Sequence, residues 1–287
     1  MRKPRGPALL HTTCAGVVPA VRGAQMLRRV KLSLGLFPLL LGGIALHANA
    51  IGNARVDFRQ RFALGPCGRV VIQNLYGDVS ITAWDRDEVL VEAIKHSPDP
   101  HRLDDARIIV EPSSGALSIH TVYTGTDAEH PASVEYRIMV PRRANLDQVK
   151  LVNGGLSISG VAGPVKASSV NGSIHADKLE GEADLSTVNG KLDAAFNRLS
   201  PSKPISLSSV NGPIKLWLPA GGGASLSAHN LSGGIESNVG RVSRADDGHD
   251  LRAVVNHGGA HIHVHNVNGG ISIHSPKLGM HGKGLGS

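Results

Sequence analysis

Apolar and polar residues alternate in short runs along most of this chain, and the runs stop at Gly, Asn or Pro. One group of runs follows a glycine-containing turn: Val79-Ser80-Ile81, Leu156-Ser157-Ile158, Ile174-His175-Ala176, Leu192-Asp193-Ala194, Ile214-Lys215-Leu216, Ile235-Glu236-Ser237 and Ile271-Ser272-Ile273. A second group precedes an Asn-Gly: Val165-Lys166-Ala167, Ala183-Asp184-Leu185, Ile205-Ser206-Leu207 and Ile262-His263-Val264, each followed by Val170, Val188, Val210 or Val267 just before the turn. Side chains alternate along a strand, so each run begins inward and points its middle residue outward. No stretch sustains a 3.6-residue apolar period, and the pattern predicts an all-β chain.

The runs recur at a fixed interval. Glycines fall at 154, 163, 172, 181 and 190, nine residues apart, and every second one belongs to a Val-Asn-Gly. Two strands and two turns make a unit of 18 residues from Asn171 to Asn189, stretching to 22 from Asn189 to Asn211. A fixed period implies one small unit stacked many times. Asn-Gly also favours two-residue hairpins, so a β-sandwich of meanders is the alternative. A hairpin at Asn171-Gly172 would oppose Ser169 to Ile174 and Val170 to Ser173, mixing polar and apolar residues on one face. A parallel β-helix, or β-solenoid, of about 18–22-residue coils instead keeps Val165 over Ala183 and Ile174 over Leu192. Its structural turns are Asn153-Gly154, Asn171-Gly172, Asn189-Gly190, Asn211-Gly212 and Asn268-Gly269, with Asn taking a left-handed corner and stacking as a side-chain ladder.

Residues 151–275 carry the regular coils, and residues 51–150 are expected to form the first coils or an N-terminal cap. Loops are expected at His96 to Asp105 and Gly125 to Pro131, and residues 276–287 read as a flexible tail. Residues 26–50 have the form of a secretory signal: Arg28-Arg29-Val30-Lys31, the uncharged stretch Leu32 to Leu46, then Ala48-Asn49-Ala50 as a cleavage site. The rival reading, a transmembrane helix, has only 15 residues interrupted by Pro38 and Gly42-Gly43, where about 20 are needed. Residues 1–25 read as an upstream extension outside the fold, with Met26 as a second candidate start.

That boundary changes the meaning of the charge. The whole chain carries +7, but seven of its 30 basic residues and none of its 23 acidic ones lie in the first 50 positions, which leaves 23 of each sign. A nucleic-acid partner is therefore not expected, and the mature chain is not expected to span a membrane. Cys67 is the single cysteine after residue 50 and is expected as a free buried thiol. Aromatic residues make up 3% of the chain, so the core must be Val, Ile, Leu and Ala.

The candidate chemistry is sparse. His261, His263 and His265 share one face of a strand, about 7 Å apart per step, and a His-x-His pair can present two imidazoles to a metal ion. Such a site needs a third ligand, and His274 lies on a different face; solvent-facing histidines are the plain alternative. Asp184 and Asp193, nine residues apart, sit on different strands, which spoils a glycosidase pair. Residues 18 apart meet instead: Lys166 with Asp184, and His175 with Asp193 followed by Lys215, as a surface charge ladder. No Gly-x-Ser-x-Gly, Walker loop, His-Glu-x-x-His or Cys-x-x-Cys is present, and the turns lack the Asp that calcium β-rolls need. No cofactor is expected. Trp217 is isolated and reads as an inward or capping residue.

The stretch Gly77 to Val89, the segment Tyr136 to Pro141 and the serial Val-Asn-Gly units resemble the bacterial exported β-strand-repeat domains of unknown function, the toastrack-like family with an adhesin label, over about residues 55 to 275. The resemblance implies an exported β-solenoid, relatives near cell-envelope stress systems, and no catalytic residues to carry over. The expected function is a non-enzymatic cell-envelope binding or adhesin-like module in the periplasm or on the outer surface, with an envelope protein or glycan as partner. The alternatives are an envelope-stress sensor or scaffold, a carbohydrate-active β-helix enzyme, and weak metal binding through the His-rich coils.

Overall fold

The computed structural model describes residues 54–124, 132–239, 241–244 and 248–275. The leader, the expected loop at Gly125 to Pro131 and the tail from 276 lie outside the described residues.

The N-terminal strands are β1 (Ala54–Ala63), β2 (Arg69–Tyr76), β3 (Val79–Trp84) and β4 (Glu88–His96), then β5 (Ala106–Ser113), β6 (Ala116–Tyr123) and β7 (Ser133–Pro141). Between β4 and β5 lies a short 3₁₀ helix, Pro100–Asp105, capped by Asp99, whose carboxylate accepts from the His101 amide at 3.0 Å. The repeats supply β8 (Asn145–Asn153), β9 (Leu156–Ser159), β10 (Val165–Asn171), β11 (Ile174–Leu179), β12 (Ala183–Asn189), β13 (Leu192–Phe196), β14 (Ile205–Asn211) and β15 (Ile214–Trp217). The remainder is β16 (Ala224–Ser232), β17 (Ile235–Ser237), β18 (Arg241–Arg244), β19 (Asp250–Val255), β20 (Ala260–Asn268) and β21 (Ile271–His274).

These strands form two sheets, ordered β1-β4-β7-β3-β9-β11-β13-β15-β21-β17 and β18-β19-β16-β20-β14-β12-β10-β8-β2-β6-β5. Each coil gives one strand to each sheet, and neighbouring coils pair in parallel. The fold is the predicted β-solenoid. The strands on either side of Asn171-Gly172 lie in different sheets, so no meander forms there. Val165 stacks on Ala183 and Ile174 sits between Leu156 and Leu192, all buried in one aliphatic core between the sheets.

The ends depart from simple winding. The stacking order of coils is β6/β7, β2/β3, β8/β9, β10/β11, β12/β13, β14/β15, β20/β21, β16/β17. Each end therefore contains a coil inserted between two others out of chain order. Beyond these coils the chain turns antiparallel: β4 on β7 with β1 outside it, β5 on β6, and β19 on β16 with β18 outside it. Among the described residues, antiparallel end strands cover three of the four sheet edges that parallel coils would leave open, and β17 ends the ten-stranded sheet.

The repeated corner has a division of labour over four residues. The first is a buried hydroxyl or amide that binds a corner carbonyl: Ser169 Oγ donates to Gly154 O at 3.3 Å, Thr187 Oγ1 to Gly172 O at 2.9 Å, and Asn266 Nδ2 to Gly212 O at 3.2 Å. Such carbonyls need partners because a buried, unpaired backbone group costs about as much as a lost hydrogen bond. The second is an outward Val. The third is Asn, and the side chains form a ladder in which Asn171, Asn189, Asn211 and Asn268 each donate Nδ2 to the Oδ1 of the preceding rung at 2.9 Å, starting at Asn153. The fourth is Gly. A Cβ at Gly172 would fall on the Gly154 carbonyl, one at Gly190 on that of Gly172, and one at Gly212 on that of Gly190. The Gly163 and Gly181 column obeys the same rule at the opposite corner. Glycine is required here by close backbone approach. The expected left-handed conformation is not taken by the ladder asparagines; positive φ occurs at Gly212 (148°) and Gly269 (135°) instead.

At the N-terminal end the column of corner polar residues continues with Asn74, whose Nδ2 donates to Gly77 O at 2.9 Å and Val134 O at 2.8 Å. Its Oδ1 accepts from Thr121 Oγ1 at 3.1 Å, so the Tyr136 hydroxyl, 2.7 Å away, donates to Thr121. Burial pushes the Tyr136 hydroxyl up to about 12, and burial followed by the nearby Tyr136 raises Tyr123 further. Cys67 is exposed in the β1–β2 turn, which corrects the expected buried position: a surface turn leaves the sulfur uncovered.

Gly172→Ala is expected to lower stability by about 1–3 kcal/mol because backbone must move to admit the methyl group. Gly234→Ala, with open space around its Cα, should change stability by less than about 0.5 kcal/mol; urea midpoints compare the two. The folded state holds the Tyr136 proton more tightly than the unfolded chain, so that stabilisation is complete below about pH 10 and is lost as pH rises towards about 12. Tyr136→Phe should therefore lose less stability than the wild type between those pH values, read from the same unfolding curves.

Candidate functional site on the outward faces

Alternation places the middle residue of every run on a solvent face, where register between coils decides what meets. On the eleven-stranded sheet Lys166 lies over Asp184, with Nζ 3.8 Å from Oδ2. On the ten-stranded sheet His175 lies over Asp193, Nδ1 3.9 Å from Oδ2, and Lys191 also pairs with Asp193. Lys215 follows Asp193 in register. Asp184 and Asp193 belong to different sheets, so they do not form a carboxylate pair. Each acidic residue faces a cation, and exposed pairs of this kind are worth about 0–1 kcal/mol.

His261, His263 and His265 all point outward from β20, which runs between β14 and β16. Their cross-strand neighbours differ: Ser225 beside His261, Ser206 and Ser227 beside His263, Ser208 and His229 beside His265. Among the described residues no group of three or more His, Cys, Asp or Glu side chains is arranged to hold a metal ion. Register instead brings His265 onto His229, rings parallel within 7° at 5.4 Å, and His229 Nδ1 onto Asp250 Oδ1 at 2.9 Å. His274 is on the other sheet, stacked against Trp217 at 4.3 Å between ring centroids. Trp217 is 48% exposed, which corrects its reading as an inward or capping residue. It follows the outward Lys215 by two positions and so shares its face.

Two further surface features follow from stacking. The position before each ladder asparagine is outward, and Leu75, Val152, Val170, Val188, Val210, Val267 and Leu231 form an apolar line across seven coils, five of them exposed. A shallow depression of about 400 Å³ lies on the ten-stranded sheet, where Ser80 and Ser157 form a low floor between Arg137 and His175. The His229–Asp250 and Trp217–His274 contacts escaped sequence reasoning because the first depends on the antiparallel β16–β19 pairing and the second on the insertion of β21 beside β15. The buried Asn230 and Asn266 were legible in principle, since they occupy the place of Ser169 and Thr187 ahead of their turns.

A two-sheeted β-solenoid with repeated outward columns defines the class of protein. The chain belongs to the Toastrack DUF4097 family, whose model matches residues 67–274. No curated protein matches the sequence. Among solved structures, the chain is similar to a "putative cell adhesion protein" from Clostridium sporogenes at 12% identity, covering 77% of this chain and 100% of that one, with a TM-score of 0.47. It is also similar to a "putative adhesin" from Bacteroides fragilis at 8% identity, 76% and 96% coverage and a TM-score of 0.36. A third, a "putative lipid binding protein" from Parabacteroides distasonis, gives 13% identity, 79% and 98% coverage and a TM-score of 0.32.

The ladders differ in strength. Asn189→Ala removes two side-chain hydrogen bonds, to Asn171 and from Asn211, and should cost about 1–3 kcal/mol at about 0.5–1.5 kcal/mol per bond. Lys166→Ala should cost less than about 1 kcal/mol. A reversed order in thermal or urea unfolding would remove the assignment of the asparagine column as the structural spine.

Proposed function

We propose that this chain is an exported, non-enzymatic β-solenoid that serves as an adhesin-like interaction module of the cell envelope. The observation that carries the reading is the repetition of outward columns over successive coils, with ion-paired carboxylates and small polar residues spread along two extended faces. An extended regular surface suits contact with a large or repeating partner. Export is supported by the signal-like sequence of residues 26–50. No helix among the described residues is long and apolar enough to cross a membrane.

Cell fractionation joined to retention on isolated envelope material tests the reading. The expected result is a chain beginning near Ile51 by mass spectrometry, found in the envelope or extracellular fraction and retained saturably by envelope material. An uncleaved chain confined to the cytosol and not retained would overturn it.

A further inference from the structure

We infer that Trp217 and the gap beside it over Ala195 form a slot for a neutral, β-linked pyranose. The inference rests on the envelope-module reading and names one partner class for it. It starts from a row of outward residues crossing the ten-stranded sheet. Ala195 on β13 pairs with Trp217 on β15, which pairs with His274 on β21. On the far side of Ala195 lie Asp177 and Lys178, which form a bulge of β11 between the Ala176–Ala194 and Leu179–Phe196 pairs.

His274 stands one strand away from Trp217, and their rings stack at 4.3 Å with 27° between planes. The indole plane therefore lies across the row, with one face against the imidazole and the other turned toward β13. The residue opposite that second face is Ala195, whose side chain is a single carbon. The indole keeps 48% of its surface exposed although one face is stacked. Asp177 is two strand spacings from Trp217, about 9–10 Å. A saturated ring lying against the indole occupies about 3.5–4.0 Å of that span. The remaining span of about 5–6.5 Å exceeds one hydrogen bond; it holds the Asp177 side chain, paired with Lys178 at 3.8 Å, and a hydroxyl at the edge of the ring that donates to its carboxylate.

The chemistry of the walls selects the ligand. An aromatic face takes a flat array of C–H bonds, while a carboxylate reaching the edge of the ring takes hydroxyl donors. A β-linked pyranose with equatorial substituents has both: axial C–H bonds on its faces and hydroxyls at its rim. A planar aromatic ligand would leave the carboxylate without a donor, and an acidic sugar would oppose it. Trp84 is not equivalent, since its Nε1 donates to Glu88 O at 2.8 Å and Arg86 covers its ring at 5.0 Å.

Cellotetraose and chitotetraose are the probes, with polygalacturonate as the acidic comparison, followed by indole fluorescence and ligand-observed NMR. The wild type and Trp84→Phe should bind one or both neutral tetrasaccharides with a saturable change in Trp217 emission. Trp217→Ala and Ala195→Leu, the second filling the floor of the slot, should weaken binding at least about tenfold with unfolding midpoints unchanged. Unaltered affinity in Ala195→Leu, absence of saturation in the wild type up to about 10 mM, or tighter binding of polygalacturonate would overturn the site. Retention on envelope material without tetrasaccharide binding would overturn this slot and leave the module reading intact. Tetrasaccharide binding without envelope retention would support the slot and overturn that reading.

Discussion

The whole architecture depends on how closely one coil's backbone approaches the next at the corners. Parallel coils stack at about 4.8 Å, and at each sharp corner the chain has no room for a Cβ above the carbonyl below it. Glycine removes the clash but leaves carbonyl groups that need donors. The buried Ser169, Thr187 and Asn266 supply some of those donors, and the asparagine ladder runs alongside. The Ser/Thr-Val-Asn-Gly motif is thus a single device in which contact, hydrogen bonding and spacing are solved together. Its repetition holds both sheets in register and aligns the outward columns.

A solenoid built this way has a problem at each end, where an open coil would expose unpaired strands. At the N-terminal end both sheets finish in antiparallel strands, β4 and β1 beyond β7 and β5 beyond β6, whereas at the C-terminal end β19 and β18 cover β16 and β17 is the last strand of the ten-stranded sheet. This arrangement requires long-range pairing, as between Asn211 and Asn268 in the ladder. It also sets the surface chemistry. Insertion of β20/β21 between β14/β15 and β16/β17 places His265 against His229 and His274 against Trp217.

Over the regular coils the outward residues are small or paired with their equivalents one coil away, as Lys166 is with Asp184. Distinct chemistry concentrates where the regularity breaks. The Trp217 row sets an aromatic face beside an alanine gap, with the Asp177–Lys178 bulge beyond it, and the depression between Arg137 and His175 arises because two serines separate longer side chains.

The sequence alone determined the all-β class, the coil length and the inward or outward direction of the residues in the repeated three-residue runs, because alternation and period are local properties. Val165 over Ala183, Lys166 over Asp184 and the ladder from Asn153 to Asn211 follow from counting. The tertiary structure decided what counting could not reach. It showed that glycine serves close approach rather than a left-handed asparagine corner, that Cys67 lies at the surface, that Trp217 faces solvent, and that the last coil is inserted before its predecessor. Each of these depends on which backbone or side chain comes to lie opposite. Local periodicity describes a strand's faces, whereas chain order at the ends depends on closing two exposed sheet edges at once.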